Sequence, residues 1–256
     1  SIAGTVAVNV NSAPVSPTAG SNSPVCVGSP LNLTATLIAG ATYSWTGPNS
    51  FTSTLQNPTI ASTTALAAGT YTVVANNGCA SSPATTTVVV NPTPAAPTAG
   101  SNSPLCVGST LNLTSNTLAG ATYSWTGPNS FSSALEDPSI AGVTTLASGT
   151  YSVTVTVAGC TSPAGTVVVV VNPIPATPTA GSNSPVCTGA TINLTSNTVT
   201  GATYSWTGPP AFSSSLEDPT RPAATLAMAG TYSLTVTVAG CTSPVATTTV
   251  VVNPTP

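Results

Sequence analysis

Six cysteines and five charged residues carry nearly all the covalent, metal-binding and acid–base chemistry open to this 256-residue chain. The cysteines are Cys26, Cys79, Cys106, Cys160, Cys187 and Cys241; the charges are Glu136, Asp137, Glu217, Asp218 and Arg221. There is no His and no Lys. A Ser-His-Asp or Cys-His nucleophile, a Schiff-base lysine and a His-ligated metal are therefore excluded. Thiols in pairs suggest disulfides. Adjacent carboxylates suggest a hard cation, so Glu136-Asp137 and Glu217-Asp218, matched in position before Pro138 and Pro219, are weak calcium candidates. The competing reading is a solvated turn, because Gln56-Asn57 stands at the same place earlier in the chain and two carboxylates are too few ligands. An acid/base pair would need a pocket, and nothing in the sequence points to one. The expectation is a protein with no catalytic residue and no cofactor, not an enzyme.

The background to these residues is unusual. Charged residues make up 2% of the chain, against about 25% in a typical soluble domain. With a single cation there is no surface to neutralise phosphates and no polybasic segment for anionic lipid, so neither nucleic acid nor membrane is an expected partner. Thr (49) and Ser (33) make up much of the rest, with 25 Pro. Thr and Val favour strands while Pro, Gly and Asn punctuate them. Hydrophobic residues reach 41%, enough to bury a core, and no apolar run approaches the ~20 residues that span a bilayer. The absence of Met at position 1 and of a signal peptide reads as a mature product or a piece of one. The expected class is all-β.

Internal repetition sets the organisation. PTAGSNSP recurs at 17–24, 97–104 and 178–185, and ATYSWTGP at 41–48, 121–128 and 202–209. The cysteines keep the same period, with one near the start and one near the end of each repeat. A unit of ~80 residues can hold its own core, so each is a small domain rather than a solenoid turn. The expected domains are 13–93, 94–174 and 175–256. Residues 1–12 fall outside them: SIAGTVAVNVNSAPVSPTAG at 1–20 aligns without gaps to SPAGTVVVVVNPIPATPTAG at 162–181. That segment reads as the last strand of a preceding repeat, or alternatively as a donor strand for a neighbouring molecule.

Within the second repeat, Leu111 and Leu113 alternate with Asn112 and Thr114, and Tyr123 and Trp125 with Ser124 and Thr126. Tyr151, Val153, Val155 and Val157 alternate with Ser152, Thr154 and Thr156. This period of two predicts strands with one buried face. Thr166–Val171 reads as a final strand stopped by Pro173, with shorter strands around Phe131 and Ile140. About seven strands per repeat suggest a two-sheet sandwich. Trp45, Trp125 and Trp206 and Tyr71, Tyr151 and Tyr232 are the expected core aromatics, although exposed tryptophans would instead offer platforms for sugars.

These residues carry a family resemblance. Each repeat resembles an immunoglobulin-like domain, with Trp125 as its strand-C tryptophan and Tyr151 as its tyrosine-corner residue. The fuller pattern is Cys106-Val107-Gly108, Tyr123-Ser124-Trp125, Gly149-Thr150-Tyr151 and Gly159-Cys160. It is similar to the tandem Ig-like or PKD-like repeats of large secreted Bacteroidota surface proteins. The resemblance implies a bacterial cell-surface location, type 9 secretion, and roles in adhesion, gliding or surface structure.

Against that frame two disulfide pairings are open. The default is within repeats: Cys26–Cys79, Cys106–Cys160 and Cys187–Cys241. In antibody-type domains, however, the strand-F cysteine lies two residues after the corner tyrosine, which is Val153 here. Cys160 lies past the end of that strand, and Cys106 lies ahead of strand B. If the strands simply alternate in direction, a dozen residues of divergence would separate these sulfurs by some 40 Å, far beyond the ~7 Å limit between bridged Cα atoms. Bridges between repeats, Cys26–Cys160 and Cys106–Cys241, are the favoured alternative; a different strand register would restore the default. The joints also look stiff, because NPTPAAPTAG (91–100) and NPIPATPTAG (172–181) are Pro-rich spacers.

The expected function is structural: an extracellular array that forms or lines a fibre, self-associating through neighbouring repeats and surfaces nearly free of ions. The alternatives are an adhesin stalk that binds surface glycans through its loops, and an inert spacer within a larger secreted protein.

Overall fold

The computed structural model describes Val6 and residues 12–255. The expected orphan strand over 1–12 thus falls almost wholly outside the described residues. Among the described residues, apart from one-turn 3₁₀ helices at Ala65–Ala67, Thr145–Ala147 and Leu226–Met228, every regular element is a strand. The chain gathers into two compact units. One holds the first repeat with Thr117–Tyr123 and Thr154–Ala164 of the second; the other holds Thr98–Asn116, Ser124–Val153 and the residues from Gly165 onward.

In the first unit, the first repeat carries β1 (Ala19–Ser21), β2 (Val25–Cys26), β3 (Leu31–Ala35), β4 (Thr42–Gly47), β5 (Phe51–Ser53), β6 (Thr59–Ile60), β7 (Gly69–Asn76), β8 (Ala84–Val88) and β9 (Val90–Asn91). One sheet has the spatial order β1-β3-β6 and the other β5-β4-β7-β8. All these neighbours are antiparallel. Alternation writes the inner faces: Leu31, Leu33 and Ala35 are buried while Asn32 and Thr34 face out. Tyr43 and Trp45 of β4, Tyr71, Val73 and Ala75 of β7, and Val88 of β8 complete the same core. Fully burying one aliphatic or Phe-sized side chain contributes about 1.5–3 kcal/mol, so these few residues outweigh any surface term in a chain with so little charge.

In the second unit the third repeat is built the same way. Ala180–Ser182, Ile192–Ser196 and Thr220–Arg221 form one sheet, and Phe212–Ser214, Thr203–Gly208 and Gly230–Val238 run through the other, with Ala246–Val250 alongside. Its core includes Ile192, Leu194, Trp206, Tyr232, Leu234 and Val250. The second repeat has strands at the equivalent places, among them Leu111–Thr114, Thr122–Gly127 and Gly149–Val157. The protein is all-β, three immunoglobulin-like repeats in tandem.

Trp45, Trp125 and Trp206 have no exposed surface. Each indole Nε1 donates to the carbonyl eleven residues ahead, of Gln56, Glu136 and Glu217, at 3.2, 3.0 and 3.1 Å. Tryptophans so enclosed are not sugar platforms, and that alternative is corrected. Tyr71, Tyr151 and Tyr232 donate to the carbonyls of Ala67, Ala147 and Met228, four residues back, at 2.9, 3.0 and 3.0 Å. This is the tyrosine-corner bond, and it ties the 3₁₀ turn to the strand that follows. Burial pushes the phenols of Tyr71 and Tyr151 up from their ordinary value.

The glycine of each Trp-Thr-Gly lies flat under that tyrosine. A Cβ at Gly127 would stand 2.4 Å from Cδ1 of Tyr151, and the ring cannot retreat because its hydroxyl is held. Gly127→Ala is therefore expected to cost ~1–3 kcal/mol as an overpacked core, read as a lower urea midpoint. An unchanged midpoint would mean the ring has room to shift.

The final strand differs from the sequence reading. Instead of one run over Thr166–Val171, there are two pieces, Gly165–Val169 and Val171–Asn172. Val170 leaves the ladder: its N–H donates to Ser103 Oγ at 2.8 Å and its carbonyl accepts from Leu105 N at 3.1 Å. The chain thereby changes partner, and Val171–Asn172 pairs in parallel with Leu105–Cys106. Cys106 is thus not a backward extension of the strand at Leu111 but part of a short strand of its own.

Candidate functional site: the disulfide joints

The cysteines occupy two kinds of position, each fixed by local sequence. The first cysteine of a repeat lies in the two-residue strand before Gly, paired in parallel with an Asn-Pro asparagine: Cys26 with Asn91, Cys106 with Asn172 and Cys187 with Asn253. A backbone exchange holds the loop that follows, with Gly28 N donating to Thr63 O at 2.8 Å and Thr63 N to Ser29 O at 3.1 Å. The hydroxyl of Thr63, 1% exposed, bonds the carbonyls of Cys26 and Ser29.

The second cysteine follows a hairpin turn. In the second repeat the turn is Ala158-Gly159, with φ of 49° and 80°. Two left-handed residues in succession mark the tight hairpin turn whose twist matches the strands, which is why Gly is needed there. Behind it, buried Ser162 accepts from Val155 N at 3.1 Å and donates to Pro163 O at 2.8 Å. Ser243 does the same with Val236 and Pro244.

The two kinds of cysteine meet between repeats. Within the first unit, Cys26 is bonded to Cys160 with a Cα separation of 5.6 Å; within the second, Cys106 is bonded to Cys241, also at 5.6 Å. The within-repeat pairs Cys26–Cys79, Cys106–Cys160 and Cys187–Cys241 are not formed, and strand geometry gives the reason. In the third repeat Cys187 pairs with Asn253, just past Val250, which faces Gly230. Cys241 follows the turn at the opposite end of Gly230–Val238. That nine-residue strand holds the two ends about 26 Å apart, less than the 40 Å expected from sequence but well beyond a disulfide's reach. Cys79 and Cys187 take part in neither bond.

An asparagine completes each joint, and sequence reasoning missed it. Asn91 Nδ2 donates to the Ala158 carbonyl at 3.0 Å, and Asn172 Nδ2 to the Ala239 carbonyl at 3.0 Å. The hairpin is therefore gripped by a covalent bond and a hydrogen bond two residues apart. The available signal was the Asn-Pro at 91–92, 172–173 and 253–254; the proline drew attention as a strand stop and the asparagine beside it did not. In the first unit, Pro92, Pro94 and Ala95 of the linker line a shallow apolar cleft with Leu118, Ala119 and Val157.

The carboxylates do other work. Asp137 Oδ1 accepts from Ser115 N and Asp218 Oδ1 from Ser196 N, both at 2.8 Å. Asn57 Oδ1 accepts from Ala35 N at 2.9 Å in the first repeat, so the job needs an oxygen and not a charge. Glu217 accepts from the Thr198 hydroxyl. Among the described residues, no three Cys, Asp or Glu gather as a metal site would require. Asp137→Asn is expected to leave the urea midpoint within ~0.5 kcal/mol of its value, and Asp137→Ala to lower it by about 1 kcal/mol. Added calcium tests the other reading: a raised midpoint would make these carboxylates ligands.

Arg221 replaces the isoleucine of the earlier repeats, opposite Ile192 where Ile60 and Ile140 face Leu31 and Leu111. Its guanidinium stacks 4.6 Å from the Phe212 ring centroid and donates to Pro209 O and Tyr232 Oη. It covers the edge of the core as the isoleucines do.

No protein-family model matches the chain, and no curated protein does. Solved structures do. It is similar to the I-band fragment I67–I69 of titin at 12% identity, covering 93% of this chain and 99% of that one, with a TM-score of 0.47. The three N-terminal domains of the bacteriophage RB49 outer capsid protein Hoc match at 15% identity over 94% and 99% of the two chains, TM-score 0.39. The Ig1–Ig3 ectodomain of mouse nectin-like molecule 4 matches at 14% over 95% and 98%, TM-score 0.40. All three are tandem-domain chains, and the likeness extends to fold alone.

Proposed function

We propose that this chain is a structural protein, an extracellular array of immunoglobulin-like repeats that forms or lines a surface fibre. The observation that carries the reading is the covalent joint: both disulfides link one repeat to the next, where ordinary domain stabilisation would put them inside a repeat. A bond in that position resists separation of repeats under load and limits swivelling at the linker. Disulfides also support an oxidising, extracellular setting. The finer assignment, to type 9-secreted Bacteroidota surface proteins, rests on the repeated Cys-x-Gly, Tyr-x-Trp and Gly-Thr-Tyr pattern.

Two surface features favour self-association. With charged residues at 2%, chains lie side by side without stripping water from many ions. Exposed leucines recur once per repeat at Leu55, Leu135 and Leu216, and again at Leu66, Leu146 and Leu226, all more than half exposed. Equivalent weak contacts repeated along one chain add up as multivalent binding. Durability follows as well, since trypsin meets one basic residue, Arg221, followed by Pro222.

The test is electron microscopy of the native material with and without reductant. Continuous fibres that loosen or fragment on reduction are expected. Separate flexible strings of beads, indifferent to reductant, would sink the fibre reading and leave an adhesin stalk or a spacer.

A further inference from the structure

Arg221 sits in a cup whose other residues recur in the first repeat. Its guanidinium lies over the Phe212 ring, 4.6 Å from the centroid, with the Tyr232 ring 5.7 Å away, and it donates to the Pro209 carbonyl. The same three positions in the first repeat are Phe51, Tyr71 and Pro48. Phe51 meets Tyr71 edge-on at 5.4 Å and 69°, as Phe212 meets Tyr232 at 5.6 Å and 64°. Ile60 stands where the third repeat has Arg221, and a hollow of about 180 Å³ lies beside it. Pro48, Asn49, Phe51 and Ile60 line the hollow, and Tyr71, fully buried, forms its floor. The hairpin tip beside it is Asn49-Ser50, both left-handed at φ of 53° and 58°. The third repeat has Pro210-Ala211 at this tip, so the asparagine is missing where the arginine is present.

We propose that the hollow beside Ile60 is a binding site for an arginine side chain of a partner protein. The guanidinium enters from solvent, stacks on the Phe51 ring, and donates to the Pro48 carbonyl and the Asn49 amide oxygen. The Pro48 carbonyl accepts from Phe51 N at 3.1 Å and has a second lone pair for the ligand. Arginine is the occupant because Arg221 shows which cation this set of groups holds. A planar guanidinium lies flat on an aromatic face while its N–H groups reach carbonyls, and a lysine ammonium cannot do both at once. The arginine comes from another protein because this chain's only one is already seated in its own third repeat. The second repeat carries the same set, Pro128, Asn129, Phe131, Ile140 and Tyr151, with Phe131 5.5 Å from Tyr151. The chain thus offers two such sites, and linked sites strengthen binding to a partner with several arginines. The inference goes beyond the fibre reading and does not depend on it.

The test titrates the full chain with Nα-acetylarginine amide and follows the backbone amides by NMR. Saturable shifts are expected at Phe51 and Ile60, and at Phe131 and Ile140. The matching lysine derivative is expected to bind about five-fold more weakly, the worth of one hydrogen bond. The citrulline derivative, alike in shape but uncharged, is expected to leave the spectrum unchanged. Ile60→Arg supplies a guanidinium from within, as Arg221 does, and should abolish the response at Phe51 while that at Phe131 persists. Phe51→Leu keeps an apolar side chain without the ring and is expected to weaken binding at the first site about three-fold. The absence of any saturable shift, shifts reproduced by the citrulline derivative, lysine binding as tight as arginine, or a Phe51 response that survives Ile60→Arg would each overturn the site. Fibres seen or not seen in the microscope bear on none of these results, so the two readings fail separately.

Discussion

Replacing Trp125 with Ala is expected to lower the stability of the second repeat by about 3–5 kcal/mol, the range for truncating a fully buried aromatic. The side chain has no exposed surface, and its removal opens a cavity that neighbouring strands, held by their ladders, cannot close. It also leaves the Glu136 carbonyl without its partner at 3.0 Å. Trp125→Phe separates the two effects: it keeps most of the volume and loses the hydrogen bond, so a smaller loss of about 1–3 kcal/mol is expected. Urea denaturation followed by far-UV circular dichroism measures both. A whole domain has only 5–15 kcal/mol of stability, so the Ala variant should show the second repeat melting ahead of the others. A loss under 1 kcal/mol would mean the core collapses around the gap.

The second large effect concerns the joint. Cys106 and Cys241 are 135 residues apart in sequence, and closing a loop of that length restricts the unfolded chain by up to ~5 kcal/mol, with measured values of 2–5. The double variant Cys106→Ala, Cys241→Ala is expected to lose stability in that range. Alanine is the proper replacement because Cys241 is 1% exposed and a serine hydroxyl there would be buried. Hydrogen exchange adds a readout at the joint itself: amides of the Ala239-Gly240 turn should exchange faster once only the Asn172 amide holds them. Unchanged exchange and stability together would show that packing grips the hairpin and the bond is redundant.

Much of the fold was legible in the sequence, and for a definite reason. Strand alternation has a period of two, so the buried faces at Leu111/Leu113, Tyr123/Trp125 and Tyr151/Val153/Val155 could be read directly. Local punctuation was legible in part: Pro173 stops the last ladder, which ends at Val171–Asn172. What local reading could not see was any contact whose partner lies far along the chain. The strand at Leu105–Cys106 is too short to leave a periodic signature and exists only because Val171–Asn172 comes alongside it. Asp137 offered two carboxylate oxygens, and only the fold shows one of them taken by Ser115 N. Arg221 read as an isolated cation and turned out to lie over Phe212.

The sequence by itself determined the all-β class, the three repeats, the core aromatics and the poverty of charge, because composition and short periods are written in consecutive residues. It left the disulfide pairing open between two alternatives. The tertiary structure decided it, since which sulfurs meet depends on how far a nine-residue strand carries one cysteine from another and which hairpin the next repeat brings back, and that distance is set by the assembled sandwich and by no residue alone.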